Sequence, residues 1–142
     1  VSLAISSFAN AQLVRRHGMV RMMRGALGGM LTCGSALTLA AVAMGGHVPL
    51  WMFMGACFGI FFCIGIVFGN MNAMVMVPLG RVAGLGASLN AALSSLVAVL
   101  VAVPVGQAYD QTVVPFAMLI AVAGGCALLL TNLAERSSAK PV

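Results

Sequence analysis

Acidic side chains are almost missing from this sequence: of 142 residues two are Asp or Glu, against seven Lys or Arg, and residues of either charge make up 6%. With 62% hydrophobic residues and a mean hydropathy of +1.12, a chain of this size cannot hide its apolar side chains in a soluble core. The composition is that of an all-α integral membrane protein. Enzymatic chemistry is not expected, because His, Asp, Glu and Cys are nowhere clustered at metal-ligand or nucleophile spacing. For the same reason neither a metal nor any other cofactor is expected. Cys33, Cys57, Cys63 and Cys126 fall inside apolar runs without C-x-x-C spacing. They read as small apolar fillers, not as a disulfide framework or a zinc site. The net charge of +5 is divided among the ends of apolar segments and forms no continuous basic face. Nucleic acid is therefore excluded as a partner, and the lipid bilayer is expected.

What is present is a series of long uncharged runs. Val1 to Val14 lacks charge but is only about 14 residues long, short of the ~20 that cross a bilayer core. It is expected to be the truncated end of a helix whose beginning lies upstream. Arg15, Arg16, Arg21 and Arg24 then crowd into one short stretch around Gly18, read as a loop. Spans are expected at about 22–44, 49–77, 83–108 and 113–133, with a disordered polar tail at 134–142. The turn at Gly45-Gly46-His47 precedes Trp51, at the depth where amphipathic aromatics settle. Pro78 lacks an N–H and Gly80 tolerates positive φ, so the chain can reverse there, and Arg81 marks the aqueous side. The span from Pro49 to Val77 carries Gly55-x-x-x-Gly59 and Gly65-x-x-x-Gly69, small residues that admit close helix packing.

The cations test this order of spans. With alternating helices, Arg15, Arg16, Arg21, Arg24, Arg81, Arg136 and Lys140 share one side, while His47 and Asp110 share the other. The positive-inside rule places the first side in the cytoplasm, giving a multi-pass protein of the cytoplasmic (inner) membrane with a cytoplasmic C-terminus.

Two turns carry a family resemblance. Pro78-Leu79-Gly80-Arg81-Val82-Ala83-Gly84, followed by Ala87-Ser88-Leu89, resembles the P-x-G-x-x-A-G-x-x-S segment between helices 10 and 11 of the Bcr/CflA drug-resistance transporters, members of the major facilitator superfamily. Gly106-Gln107-Ala108-Tyr109-Asp110-Gln111-Thr112-Val113-Val114-Pro115 resembles that family's G-Q-x-x-D-G-T-x-x-P turn between helices 11 and 12, with Gln111 in place of glycine. Asn10 to Arg21 is similar to the weaker copy, between helices 8 and 9, of the superfamily's G-x-L-x-D-R-x-G-R motif. It keeps Leu13, Arg16, Gly18 and Arg21, but Val14 stands where the acidic residue would be.

The resemblance implies helices 8 to 12, part of the C-terminal six-helix bundle of such a transporter, with the missing N-terminal helices as partners. It implies proton-coupled efflux of lipophilic small molecules through a cavity lined in part by the spans at 49–77 and 83–108. Phe58, Phe62, Asn70 and Asn90 are the candidate lining residues. Two other classes stand beside this one. A non-transporting helical membrane subunit would use the small-residue faces for assembly alone. A compact four-helix multidrug exporter would need a carboxylate inside the membrane, whereas Asp110 and Glu135 lie at helix ends. The expected topology is directly checkable. Single cysteines introduced at His47 and Gln111 should be labelled by an impermeant thiol reagent added to intact cells, and those at Gly18, Arg81 and Ser138 should be protected. Labelling at Arg81 from outside would reverse the assignment.

Overall fold

The computed structural model describes residues 1–76, 83–108 and 111–138. Five helices follow one another: α1 (Ser2–His17), α2 (Met19–Ala43), α3 (Leu50–Met76), α4 (Ala83–Gln107) and α5 (Val114–Ser138). Four of them, α2 to α5, are long and apolar enough to cross a membrane. With 16 residues, α1 reaches about 24 Å at 1.5 Å per residue, less than the ~30 Å bilayer core. Pro78, Gly80, Arg81 and Asp110 lie outside the described residues, as does Lys140.

Two boundaries differ from the sequence expectation. Arg15 to Arg24 is not a loop: α1 continues through His17 and α2 starts at Met19, so a single residue, Gly18, joins them. Gly18 takes φ 80°, a conformation open to glycine at no steric cost. Its N–H still donates to Val14 O at 2.9 Å, and its carbonyl accepts from Met22 N–H at 3.2 Å, so both helix ends are bonded through the elbow. The second difference is at the C-terminus, where α5 runs on to Ser138 instead of ending at 133. In both places charge marks the edge of the apolar run and not the end of the helix, because Arg and Glu are good helix formers once a span is nucleated.

The α2–α3 turn is built as a helix-ending glycine motif. Gly46 N–H donates to Ala41 O at 2.7 Å and Gly45 N–H to Val42 O at 3.3 Å, with φ 66° at Gly45 and 91° at Gly46. This is the paired bonding of a Schellman end, and it needs left-handed residues. Gly46 O also accepts from Val113 N–H at 3.1 Å, tying the start of α5 to the end of α2. Thr112 Oγ1 accepts from Val114 N–H at 3.3 Å, and Pro115 occupies the first turn of α5, where its missing N–H costs nothing.

Contacts fix the direction of each helix. Ser2 meets Phe58 and Asn10 meets Asn70, so α1 runs parallel to α3. Gly29 faces Cys63 and Cys33 faces Gly59, which makes α2 antiparallel to α3. Gly34 lies on Ala121 and Leu31 on Gly124, so α2 is antiparallel to α5 as well. Asn72 and Asn90 approach each other near the junction of α3 and α4. Consequently Arg15, Arg16, Arg21, Arg24 and Arg136 occupy one end of the bundle, and the turns at Gly45–His47 and Gln111 occupy the other.

The core lies where α2, α3 and α5 meet. Leu37, Ile60 and Ala117 are almost fully buried, with Cys33, Phe53, Phe116 and Ile120 against them. The rings of Phe53 and Phe116 sit 6.1 Å apart at 57°, the tilted geometry that aromatic pairs favour. By contrast α4 touches only α3 and α5 among the described helices and is exposed along nearly its whole length. The α2–α5 contact brings backbone against backbone. A Cβ at Gly34 would lie 2.7 Å from Ala121 N, and one at Gly124 would lie 3.0 Å from Leu31 N. Backbone cannot step aside as a side chain can. Gly34→Ala should therefore destabilise the bundle by about 1–3 kcal/mol, the usual cost of overpacking, whereas Gly28→Ala, with nothing within 4 Å, should be nearly neutral. Unfolding in mixed micelles would measure both.

Candidate functional site

Polar side chains within the spans are few; Thr32, Thr38 and Thr131 bond back to carbonyls of their own helices, Asn132 Oδ1 in α5 is buried without a partner, and two further groups join neighbouring helices. The first is a seam between α1 and α3. Ser2, Ser6 and Asn10 recur every fourth residue, hence on one face of α1. Ser2 Oγ donates to Phe58 O at 2.8 Å, Ser6 sits on Gly65 with its hydroxyl donating to Leu3 O at 2.9 Å, and Asn10 lies over Gly69. Asn70 Nδ2 donates to Asn10 Oδ1 at 2.8 Å and to Ile66 O at 2.9 Å. Ser6 is 0% exposed and Asn70 2%. Such groups are stable away from water only when paired, and here each is.

The second group lines a groove between α3 and α4 of about 510 Å³, walled by Phe68, Asn72, Ala87, Asn90, Ala91, Ser94, Ser95 and Ala98. The α4 members recur at helical spacing and form one stripe. Asn90 Nδ2 donates to Asn72 Oδ1 at 3.4 Å, a long bond that leaves amide capacity unspent on both residues. Ser88, pointing elsewhere on α4, donates to Leu85 O at 2.9 Å. The groove thus combines mostly small and apolar walls with a few convergent donors and acceptors, the make-up of a site for a small organic molecule.

Asn90 is in the groove. Asn70 is not: it is buried against α1 and holds the seam. Phe58 is half exposed and Phe62 partly buried. Their spacing to Gly65 and Gly69 puts both on the stripe of α3 that meets α1, and neither lines the groove. The aromatic at the groove is Phe68. Gly59 and Gly29 receive the thiols of Cys33 and Cys63 respectively, a reciprocal fit across α2 and α3, while Gly65 and Gly69 receive Ser6 and Asn10. Gly55 has open space around it. Arg15, Arg16, Gly18 and Arg21 surround the α1–α2 elbow. Among the described residues no group of three His, Cys, Asp or Glu is placed to hold a metal.

Ser2, Ser6 and Asn10 are the residues that sequence reasoning missed, whereas Asn70 and Asn72 together read from the sequence as interhelical hydrogen-bonding amides or a polar lining, and Asn72 is the one at the groove. The every-fourth-residue run of Ser2, Ser6 and Asn10 was the available signal. Asn72 stands two residues after Asn70, about 200° further around the helix, so the two amides meet different neighbours. Gln111 is the only described non-glycine residue with positive φ, at 66°.

No protein-family model, no curated protein and no solved structure matches this chain.

Two outcomes follow from this geometry. Asn10→Leu and Asn70→Leu should each cost about 0.5–2 kcal/mol, the range for interhelical polar pairs in membranes. The double variant should cost less than the sum, because it strands no amide. A double-mutant unfolding cycle with strict additivity would exclude the pairing. Gln111→Gly should stabilise by up to about 1 kcal/mol by relieving the left-handed backbone, read in the same unfolding measurement.

Proposed function

We propose that the chain is the C-terminal part, helices 8 to 12, of a secondary transporter of the major facilitator superfamily, and that it exports lipophilic small molecules in the manner of the Bcr/CflA group. The α3–α4 groove carries this proposal. The resemblance assigns α3 and α4 to the cavity-lining helices 10 and 11, and the groove lies between those two. It assigns α2 and α5 to the outer helices 9 and 12, and these pack on each other with no contact between α2 and α4 among the described residues. Gln111 adds a further point of support: it stands where the resembled turn has glycine, and it takes the φ that glycine favours.

In this function the amides of Asn72 and Asn90 orient a ligand, Phe68 offers a ring face to an apolar or cationic group, and Ala87, Ala91 and Ala98 leave room for its bulk. Proton coupling requires a group that is protonated in one state and ionised in the other, shielded from bulk water. None of the four apolar spans contains Asp, Glu or Lys. The coupling residue is therefore assigned to the N-terminal helices. The charged end faces the cytoplasm, with the C-terminus on that side. A non-transporting membrane subunit is the second possibility, favoured by one observation: α4 is exposed along its length, as an assembly surface would be.

Export of a lipophilic cationic dye from cells that express the whole reading frame discriminates the two. Asn72→Leu and Asn90→Leu should each slow export about tenfold, equivalent to one lost hydrogen bond of about 1.4 kcal/mol, with membrane insertion retained. Gly59→Leu or Gly65→Leu should abolish it. Unchanged export with Asn90→Leu removes the groove from the transport path, and absence of export from the complete protein leaves the subunit.

A further inference from the structure

The elbow at Gly18 poses a separate question: what neutralises Arg15, Arg16 and Arg21. Arg15, Arg16, Arg21 and Arg24 lie within ten residues of one another, while the first 109 residues contain no Asp or Glu at all. The topology places Arg136 at the same end, and the only acidic residue assigned there is Glu135. Even with that carboxylate fully paired, the end keeps a large positive excess. The positive-inside rule accounts for which side the arginines occupy but supplies no counter-charge for Arg15, Arg16 and Arg21.

The surface shape supplies a place for one. Two recesses flank the elbow and share His17. One, of about 780 Å³, is lined by Gln12, Arg15, Arg16 and His17 together with Phe8, Ala11 and Leu13. The other, of about 590 Å³, is lined by His17, Gly18, Met19, Val20, Arg21 and Arg24. Arg15, Arg16 and Arg21 are exposed. In the first recess charge gives way to apolar wall over the two helical turns of α1 that precede Arg15, with Phe8 70% exposed. That order, guanidinium first and hydrocarbon behind it, is the order of a phospholipid entering from the bilayer. Arginine is also the cation whose planar fork matches phosphate oxygens.

We infer that the α1–α2 elbow is a docking site for anionic phospholipid headgroups, with Arg15 and Arg16 on one side of His17 and Arg21 on the other holding the phosphates. The inference depends on the chain residing in a bilayer and is independent of what, if anything, passes through the α3–α4 groove.

Native mass spectrometry of the protein purified from its whole reading frame tests it, by comparing retention of phosphatidylglycerol with that of phosphatidylcholine of the same acyl chains. At roughly fivefold per basic residue near an anionic headgroup, three arginines correspond to a preference on the order of a hundredfold. Arg15→Gln/Arg16→Gln/Arg21→Gln should reduce it to a few-fold, and Arg136→Gln should leave it within about a factor of five of the native chain. Should the triple variant fail to fold, the native chain still decides the matter. Headgroup pairing predicts that the preference falls as salt is raised from 0.1 to 1 M, because the Debye length shrinks from about 10 to 3 Å. Equal retention of the two lipids, a preference untouched by the triple substitution, or one indifferent to salt would overturn the inference. Displacement of the lipid by millimolar inorganic phosphate would equally overturn it, identifying a site for free anions.

Discussion

Helix α2 can lie directly on the backbone of α5, and most of the architecture depends on that approach. Lipid tails are as apolar as leucine, so burying hydrophobic surface does not drive helices together in a membrane; close van der Waals contact does. Gly34 and Gly124 supply it by removing every side-chain atom between Gly34 and Ala121 and between Gly124 and Leu31. Once α2 is seated on α5, its other face presents Gly29 and Cys33 to α3, and the matching Gly59 and Cys63 complete a pair of small-residue notches. The bond from Val113 to Gly46 holds the same two helices together at their far ends. Enlarging Gly34 or Gly124 would thus disturb α2, α5 and the Leu37–Ile60–Ala117 core together.

The amides show a second constraint, that a polar group in a span must face protein or water. Asn70 meets it by pairing with Asn10 and closing the α1–α3 seam. Asn72 and Asn90 meet it only loosely, through one long bond beside an open groove. This difference separates a structural amide from one with capacity left for a ligand, and it moves Asn70 from the cavity to the framework. Helix α4, held near its ends and exposed elsewhere, leaves that groove accessible.

Much of this was legible in the sequence, and the parts that were not have a common cause. Four spans could be read because each is a long run with almost no charge, and membrane insertion tolerates little else. The segregation of cations followed from the alternation of those spans. The elbow was read as a loop because four arginines look like an aqueous segment, although only Gly18 leaves the helical conformation. Residues 134–138 misled in the same way, since polarity marks the edge of the bilayer and not the end of a helix. Which face a residue occupies was harder still. Composition says that Phe58, Phe62, Asn70 and Asn90 lie within spans, but only the rotation of α3 against α1 and α4 decides that Phe68, Asn72 and Asn90 reach the groove. That rotation is set by the Gly65–Ser6 and Gly69–Asn10 contacts, whose α1 partners look unremarkable in the sequence.

The arrangement of α2 against α5, with α4 apart, is what the groove and its amides require. Cross-linking in native membranes measures it directly. With the four native cysteines replaced by serine or alanine, Leu31→Cys/Gly125→Cys should be joined in high yield by a short bifunctional thiol reagent, because Leu31 Cδ1 lies 3.6 Å from the position a Cβ would take at Gly125. Leu31→Cys/Ala98→Cys should not react, since α2 and α4 do not touch among the described residues. Efficient joining of Leu31 to Ala98 with none to Gly125 would contradict the packing, and with it the groove between α3 and α4.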